Sequence, residues 1–130
     1  MTNNCPHRVL FVDDDPSVLE SVQDILKLSG YSTTIAKNGV EALYAMKKSM
    51  PDIIVSDIMM PEMNGYAFYE AVRENSEWSA IPFIFMRARG EKKDIHRGHQ
   101  SGAAYYVTKP IDTEDLLVAI QSRLERTVGI

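Results

Sequence analysis

Residues 9–17 read Val-Leu-Phe-Val-Asp-Asp-Asp-Pro-Ser. The unbroken apolar run from Val9 to Val12 describes a strand buried on both faces, because a strand with one wet face would alternate with period two. Asp15 then has the residue type of a helix N-cap, and Pro16 sits at the first helical position, where its missing N–H and fixed φ do no harm. Val18, Leu19, Val22, Ile25 and Leu26 recur at helical spacing behind it, and Gly30 stops the helix. The chain thus passes from a buried strand into a helix across an acidic edge made by Asp13 and Asp14.

The same strand-to-helix unit recurs along the chain. Tyr31 to Ala36 is β-branched and alternates, as suits an edge strand, and Asn38 caps a second helix with Glu41 three residues on and Leu43 and Met46 facing inward. Pro51 ends that helix, and Ile53 to Val55 begin a third, buried strand that runs into Ser56 and Asp57. The stretch MMPEMNG, residues 59–65, carries the turn residues Pro61, Asn64 and Gly65, after which Phe68, Ala71 and Val72 mark a third helix. Phe83 to Met86 form a fourth strand, a fourth helix falls within Asp94 to Ser101, and Tyr105 to Val107 form a fifth strand. Leu116, Leu117, Ile120 and Leu124 pattern a last helix capped by Asp112 or Thr113. This alternation predicts one α/β domain, with a five-stranded parallel sheet covered by helices on both faces.

Composition narrows the functions open to such a domain. At 130 residues the chain fits one domain of roughly 100–200 residues, and no internal repeat or low-complexity linker divides it. Hydrophobic residues at 45% and charged residues at 25% exclude a disordered or collagenous chain. The 14 basic against 18 acidic residues, a net charge of −4, argue against direct nucleic-acid binding through phosphates. The single Cys5 cannot close an internal disulfide, the start MTNNCPHR lacks an apolar signal region, and no apolar run approaches the roughly 18 residues of a membrane span. A soluble, cytoplasmic protein without a membrane partner is expected.

In an open parallel sheet, side chains at the carboxyl ends of the strands converge on one crevice. Asp13 and Asp14 follow the first strand, Asp57 the third, Arg87 the fourth and Lys109 the fifth, which predicts three carboxylates and two cations in one pocket. Crowded carboxylates repel, and a hard divalent cation with oxygen ligands relieves them; Mg²⁺ suits one or two carboxylates, a backbone carbonyl and several waters.

The segments FVDDDPS, SDIMMPEMNGY, IPFIFM and GAAYYVTKP, in that order, resemble a response regulator receiver domain of two-component signalling, of the chemotaxis-regulator type, from Arg8 to Arg126. The resemblance implies the flavodoxin-like strand order 2-1-3-4-5 of a doubly wound sheet. It implies that Asp57 is a phosphoacceptor taking a phosphoryl group from a sensor histidine kinase, a phosphotransfer protein or a small acyl phosphate. Asp13, Asp14, Asp57 and the Met59 carbonyl would hold Mg²⁺, Asp14 directly and Asp13 through water, and Lys109 would pair with a phosphoryl oxygen. A cis bond between Lys109 and Pro110, and a switching role for Tyr106 on a partner-binding face of helix four, strand five and helix five, are further implications. Such a domain is not a metabolic enzyme; its chemistry is self-phosphorylation and slow self-dephosphorylation.

One position departs from the pattern. Similar receivers carry Thr or Ser where Arg87 stands, and an arginine has no small hydroxyl to follow a phosphoryl group. Two orientations are open: inward against Asp57 or the Asp13–Asp14 pair, or outward into solvent. Inward, it would compete with Mg²⁺ or imitate a fixed signalling state; outward, it would leave phosphorylation open without the usual coupling. The expectation is a domain that still binds Mg²⁺ and takes a phosphoryl group, with weakened or rewired transmission to Tyr106. The same arginine favours the alternative of a pseudo-receiver, an interaction module acting without phosphate.

Plainer roles are expected elsewhere. Asp15 is a cap, Trp78 packs before Pro82, His7, His96 and His99 lie at the surface, and Arg89, Lys92, Lys93 and Arg97 form a solvated basic stretch. A haloacid-dehalogenase-like phosphatase is suggested by the spacing of Asp13 and Asp15, but Ser17 stands where Thr or Val is expected and Asp57 would go unused. No glycine-rich nucleotide motif is present.

Overall fold

The computed structural model describes residues 7–88 and 104–128. Five strands, β1 (Arg8–Val12), β2 (Ser32–Ala36), β3 (Ile53–Asp57), β4 (Phe83–Ala88) and β5 (Ala104–Lys109), form one parallel sheet in the order β2-β1-β3-β4-β5. Four helices accompany them: α1 (Pro16–Leu28), α2 (Gly39–Lys48), α3 (Gly65–Glu74) and α4 (Thr113–Val128), the last being the helix expected around Leu116 to Leu124. The helix expected within Asp94 to Ser101 lies outside the described residues, as do His96, His99 and the basic residues from Arg89 to Arg97.

Local chemistry places the helix ends. Asp15 caps α1, its Oδ1 accepting from the Ser17 N–H at 2.9 Å and the Ser17 hydroxyl at 2.8 Å. Gly30, at φ 94°, ends α1 in the left-handed conformation that a side chain disfavours, and the N–H groups of Gly30 and Tyr31 return to the carbonyls of Lys27 and Leu26. Asn38 caps α2 by accepting from the Glu41 N–H, while Glu41 reaches back to the Lys37 N–H at 2.9 Å. Asp112, of the two candidates, caps α4 by accepting from the N–H groups of Glu114 and Asp115.

Period-two alternation sorts the strand side chains onto two cores. Leu10, Val12, Ile54, Phe83 and Phe85 pack with α2 and α3 through Ala42, Met46, Phe68, Tyr69 and Val72. Val9, Phe11, Ile53, Val55, Ile84 and Met86 pack with α1 and α4 through Leu19, Val22, Leu26, Leu116 and Ile120. Burial on both faces explains why β1, β3 and β4 carry unbroken apolar runs, and each buried large side chain contributes about 1.5–3 kcal/mol. β2, an edge strand, keeps only Ala36 fully buried. Trp78 is buried in the turn before Pro82, against the α2–α3 core, and His7 is exposed. No helix among the described residues is long and apolar enough to cross a membrane.

Two strands outrun their apolar stretches. β4 continues from Met86 through Arg87 to Ala88 and β5 continues to Lys109, because the ladder pairs Arg87 with Thr108 and Ala88 with Lys109 through the backbone whatever the side chains. Gly65 also differs from its reading as a turn residue. It is the first residue of α3, since Asn64 caps that helix by accepting from the Ala67 N–H at 2.9 Å.

Candidate functional site

The same alternation aims the polar strand ends. Asp13 follows Val12, so it falls in phase with Val9 and Phe11; Asp57 is in phase with Ile53 and Val55, and Lys109 with Val107. All three therefore belong to the α1–α4 side of the rim. There the Lys109 Nζ lies 3.0 Å from Asp57 Oδ2 and 3.2 Å from Asp13 Oδ2. Asp13 is fully buried and Asp57 nearly so, whereas Asp14 is exposed. The bond between Lys109 and Pro110 is cis.

Burial pushes the Asp57 carboxyl above its ordinary value, and the Asp13 charge adds to the rise against the hydrogen bond from Lys109. For Lys109, burial is the largest influence and lowers the pKa, but Asp57 and Asp13 together outweigh it and the net direction is upward. One ammonium thus serves two carboxylates. Asp13 Oδ1 accepts from the Asp15 N–H at 2.9 Å, but Asp13 Oδ2 is buried without a hydrogen-bond donor in bonding geometry and is offset by the charge of Lys109. One oxygen from each of Asp13, Asp14 and Asp57 can be chosen so that all lie within 4.8 Å of one another. An underserved buried carboxylate beside two more is an all-oxygen donor set that fits a hard divalent cation such as Mg²⁺.

The loop after β3 is held tightly beneath Asp57. Glu62 has φ 65°, in the left-handed region, and the Met63 N–H donates to the Pro61 carbonyl at 2.7 Å. The Gly65 N–H donates to the Ile58 carbonyl at 2.8 Å, and a Cβ on Gly65 would stand 2.3 Å from the Asp57 carbonyl oxygen and 2.8 Å from the Ile58 Cα. Sequence reading missed this role; the Asn-Gly pair signals a turn, not a close backbone approach. Gly65→Ala is expected to cost about 1–3 kcal/mol, since the obstacle is backbone and cannot rotate away. It should also weaken Mg²⁺ binding by displacing the end of β3. Thermal unfolding and metal titration check this, and an unchanged Tm would refute it.

Arg87 requires a correction: it joins neither the carboxylates nor bulk solvent. Asp57 pairs with Met86, so Arg87, one residue further, points to the opposite face with Phe83 and Phe85. It is half-buried, and its Cζ lies 4.7 Å from the centroid of the Tyr106 ring. Tyr106 in turn stacks on Phe85 at 5.3 Å with 31° between planes, and Phe85 packs against Tyr66 and Tyr69 of α3 at 5.0 and 5.3 Å. The expected pocket of three acids and two cations is therefore three acids and one lysine on one face, with the arginine on an aromatic stack on the other.

Fold and rim together define a doubly wound α/β protein with an acid–lysine cluster at the carboxyl edge of its sheet. A family model for the response regulator receiver domain matches residues 9–121. A response regulator of Synechocystis sp. is 37% identical over 122 residues, a match covering 93% of this chain and 53% of that protein. Among solved structures, the signal receiver domain of a signal transduction histidine kinase from Syntrophus aciditrophicus superposes with a TM-score of 0.85 at 31% identity, covering 95% of this chain and 94% of that one. A chemotaxis response regulator of Vibrio cholerae superposes with a TM-score of 0.82 at 33% identity, covering 91% and 98%. The chain belongs to the response regulator receiver domain family. Members are signalling proteins of two-component systems, phosphorylated on an aspartate, that interact with histidine kinases or phosphotransfer proteins. The chain spans about half the length of the curated relatives it matches.

Proposed function

We propose that this chain is a single receiver domain, its core about residues 8–126, that accepts a phosphoryl group on Asp57 from a sensor histidine kinase or phosphotransfer protein. The observation that carries the reading is the Lys109 ammonium held 3.0 Å from Asp57 Oδ2 beside the underserved Asp13 Oδ2. Because Lys109 engages Oδ2, we assign Oδ1 of Asp57 as the attacking oxygen. It forms a bond to phosphorus while the phosphorus–nitrogen bond of a phosphohistidine breaks, and the departing electron pair returns to the imidazole, which takes up a proton. Lys109 is placed to meet charge on a phosphoryl oxygen as a compact, multiply donating cation. Water later releases inorganic phosphate and regenerates the carboxylate.

Asp13, Asp14 and Asp57, with the Met59 carbonyl, would hold Mg²⁺. When bound, the ion neutralises the carboxylates and offsets charge on the transferring group. Intact-mass spectrometry after exposure to acetyl phosphate tests the reading. A labile adduct of one phosphate is expected with Mg²⁺ and not with chelator, and no adduct under either condition would leave the rival interaction module.

Output would pass to a downstream protein through the face that includes β5 and α4, with Tyr106 and Arg87 as switch residues, and without direct nucleic-acid contact by this domain. Lacking a hydroxyl at position 87, the domain would transmit to Tyr106 by another route than the usual one. The stacking of Arg87 on Tyr106 supports that part of the reading. The cytoplasm is the proposed compartment.

A further inference from the structure

We infer that Arg87 is a two-position side chain: its guanidinium caps Tyr106 while Asp57 is free, and a phosphoryl group on Asp57 draws it off the ring and around the end of β3. The inference rests on Asp57 being the phosphoacceptor. Three observations support it. Arg87 is only half-buried, and its described contact is the Tyr106 ring at 4.7 Å, a non-directional attraction that leaves the planar fork of N–H donors without a carboxylate among the described residues. Asp57 pairs in register with Met86, so the two Cα atoms of Asp57 and Arg87 are separated by one residue along the strand and one strand across, about 6 Å. Asp57 is the last residue of β3, so a guanidinium can pass the strand end without crossing the sheet.

Magnitudes decide which position is occupied. Before transfer, Lys109 already bonds Asp57 from the other face, and Arg87 gains little by leaving its aromatic contact. Phosphorylation replaces the single carboxylate charge of Asp57 with a phosphoryl group of about two, a net gain of roughly one negative charge, and supplies three acceptor oxygens that Lys109 alone does not fill. Charge-assisted hydrogen bonds, roughly twice as strong as neutral ones and available to arginine as a bidentate pair, then outweigh the ring. Uncapping removes one face of the packing around Tyr106 and leaves Phe85 as its remaining stacked neighbour in this ladder. The arginine would therefore turn charge arriving on one face of the sheet into altered packing on the other.

The test follows the Tyr106 ring resonances by NMR in the full chain before and after acetyl phosphate with Mg²⁺, scoring the adduct by mass in the same samples. In the unaltered chain, the ring signals are expected to shift in proportion to the adduct. In Arg87→Met, which keeps an apolar stem without charge, the resting position should change and most of the phosphate-dependent shift should be lost; Arg87→Lys should restore part of it. An adduct with no Tyr106 shift in the unaltered chain, or an equal shift in Arg87→Met, overturns the two-position inference and leaves the phosphoacceptor reading standing. Absence of adduct in the unaltered chain overturns that reading and this inference with it.

Discussion

Asp57→Asn is expected to abolish the phosphate adduct completely and, at neutral pH without divalent cations, to raise rather than lower the Tm. The first effect follows from chemistry: an amide oxygen lacks the anionic lone pair that attacks phosphorus, and no neighbouring acid occupies the same place, since Asp13 is wholly buried and Asp14 lies on the loop after β1. The second follows from the electrostatics of the rim. Burial, with the Asp13 charge, raises the Asp57 pKa above its unfolded 3.8 despite the hydrogen bond from Lys109. The native state therefore holds this proton more tightly than the unfolded state, and stability falls as pH rises from the unfolded value through the raised native one. The penalty is fully present once pH exceeds the raised native value. A neutral isostere removes it and still offers an oxygen to Lys109. Intact mass and thermal unfolding with chelator check both halves; a surviving adduct would remove Asp57 from its role, and a lower Tm would show that its ionised form stabilises the fold.

Lys109→Met carries the largest expected loss of stability. The ammonium is the described counter-charge for Asp13 and Asp57, at 3.2 and 3.0 Å, and its removal leaves two buried carboxylates facing each other. Breaking a buried ion pair costs about 3–5 kcal/mol, and roughly 2–3 kcal/mol is the better expectation where part of the cation meets water. In a chain of this size that corresponds to a fall in Tm of about 6–15 °C. The pH dependence separates this cause from simple loss of packing. Burial alone would depress the Lys109 pKa, but the carboxylates raise it overall, so its stabilisation is complete below the unfolded value of 10.5 and is lost only as pH rises through the folded value. Near neutrality the unaltered chain retains all of it. The deficit of Lys109→Met should therefore be large at about pH 8 and shrink as pH falls through the raised Asp57 pKa, where a protonated Asp57 no longer needs a counter-charge. Mg²⁺ should restore part of it at neutral pH. A deficit independent of both pH and Mg²⁺ would mean that only methylene packing had been lost.

Much of the molecule was legible before folding was considered. Val9 to Val12, Ile53 to Val55 and Phe83 to Met86 are continuous apolar runs because their strands are covered by helices on both sides, so burial is written directly into composition. Asp15, Asn38 and Gly30 act locally, through hydrogen bonds or a left-handed φ within a few residues, and local effects need no tertiary information. Lys109 and the acids were placed at one rim by their position after the apolar runs, and the structure brings Lys109 against both Asp13 and Asp57.

Arg87 was misread for the same reason that the others were read well: position after an apolar run says which end of the sheet a residue occupies, but not which face. The face depends on register with the neighbouring strand, and here Met86, not Arg87, stands opposite Asp57. Gly65 was missed because its constraint comes from the Asp57 carbonyl across the loop rather than from its own turn. Periodicity and capping chemistry alone thus determine the five strands, the two-sided burial and the acidic edge, since each is an average over adjacent residues. The counter-charge distances, the exclusion of Arg87 from the acids and its seat on Tyr106 were decided only when strands paired, because a shift of one residue in register reverses the face of every side chain.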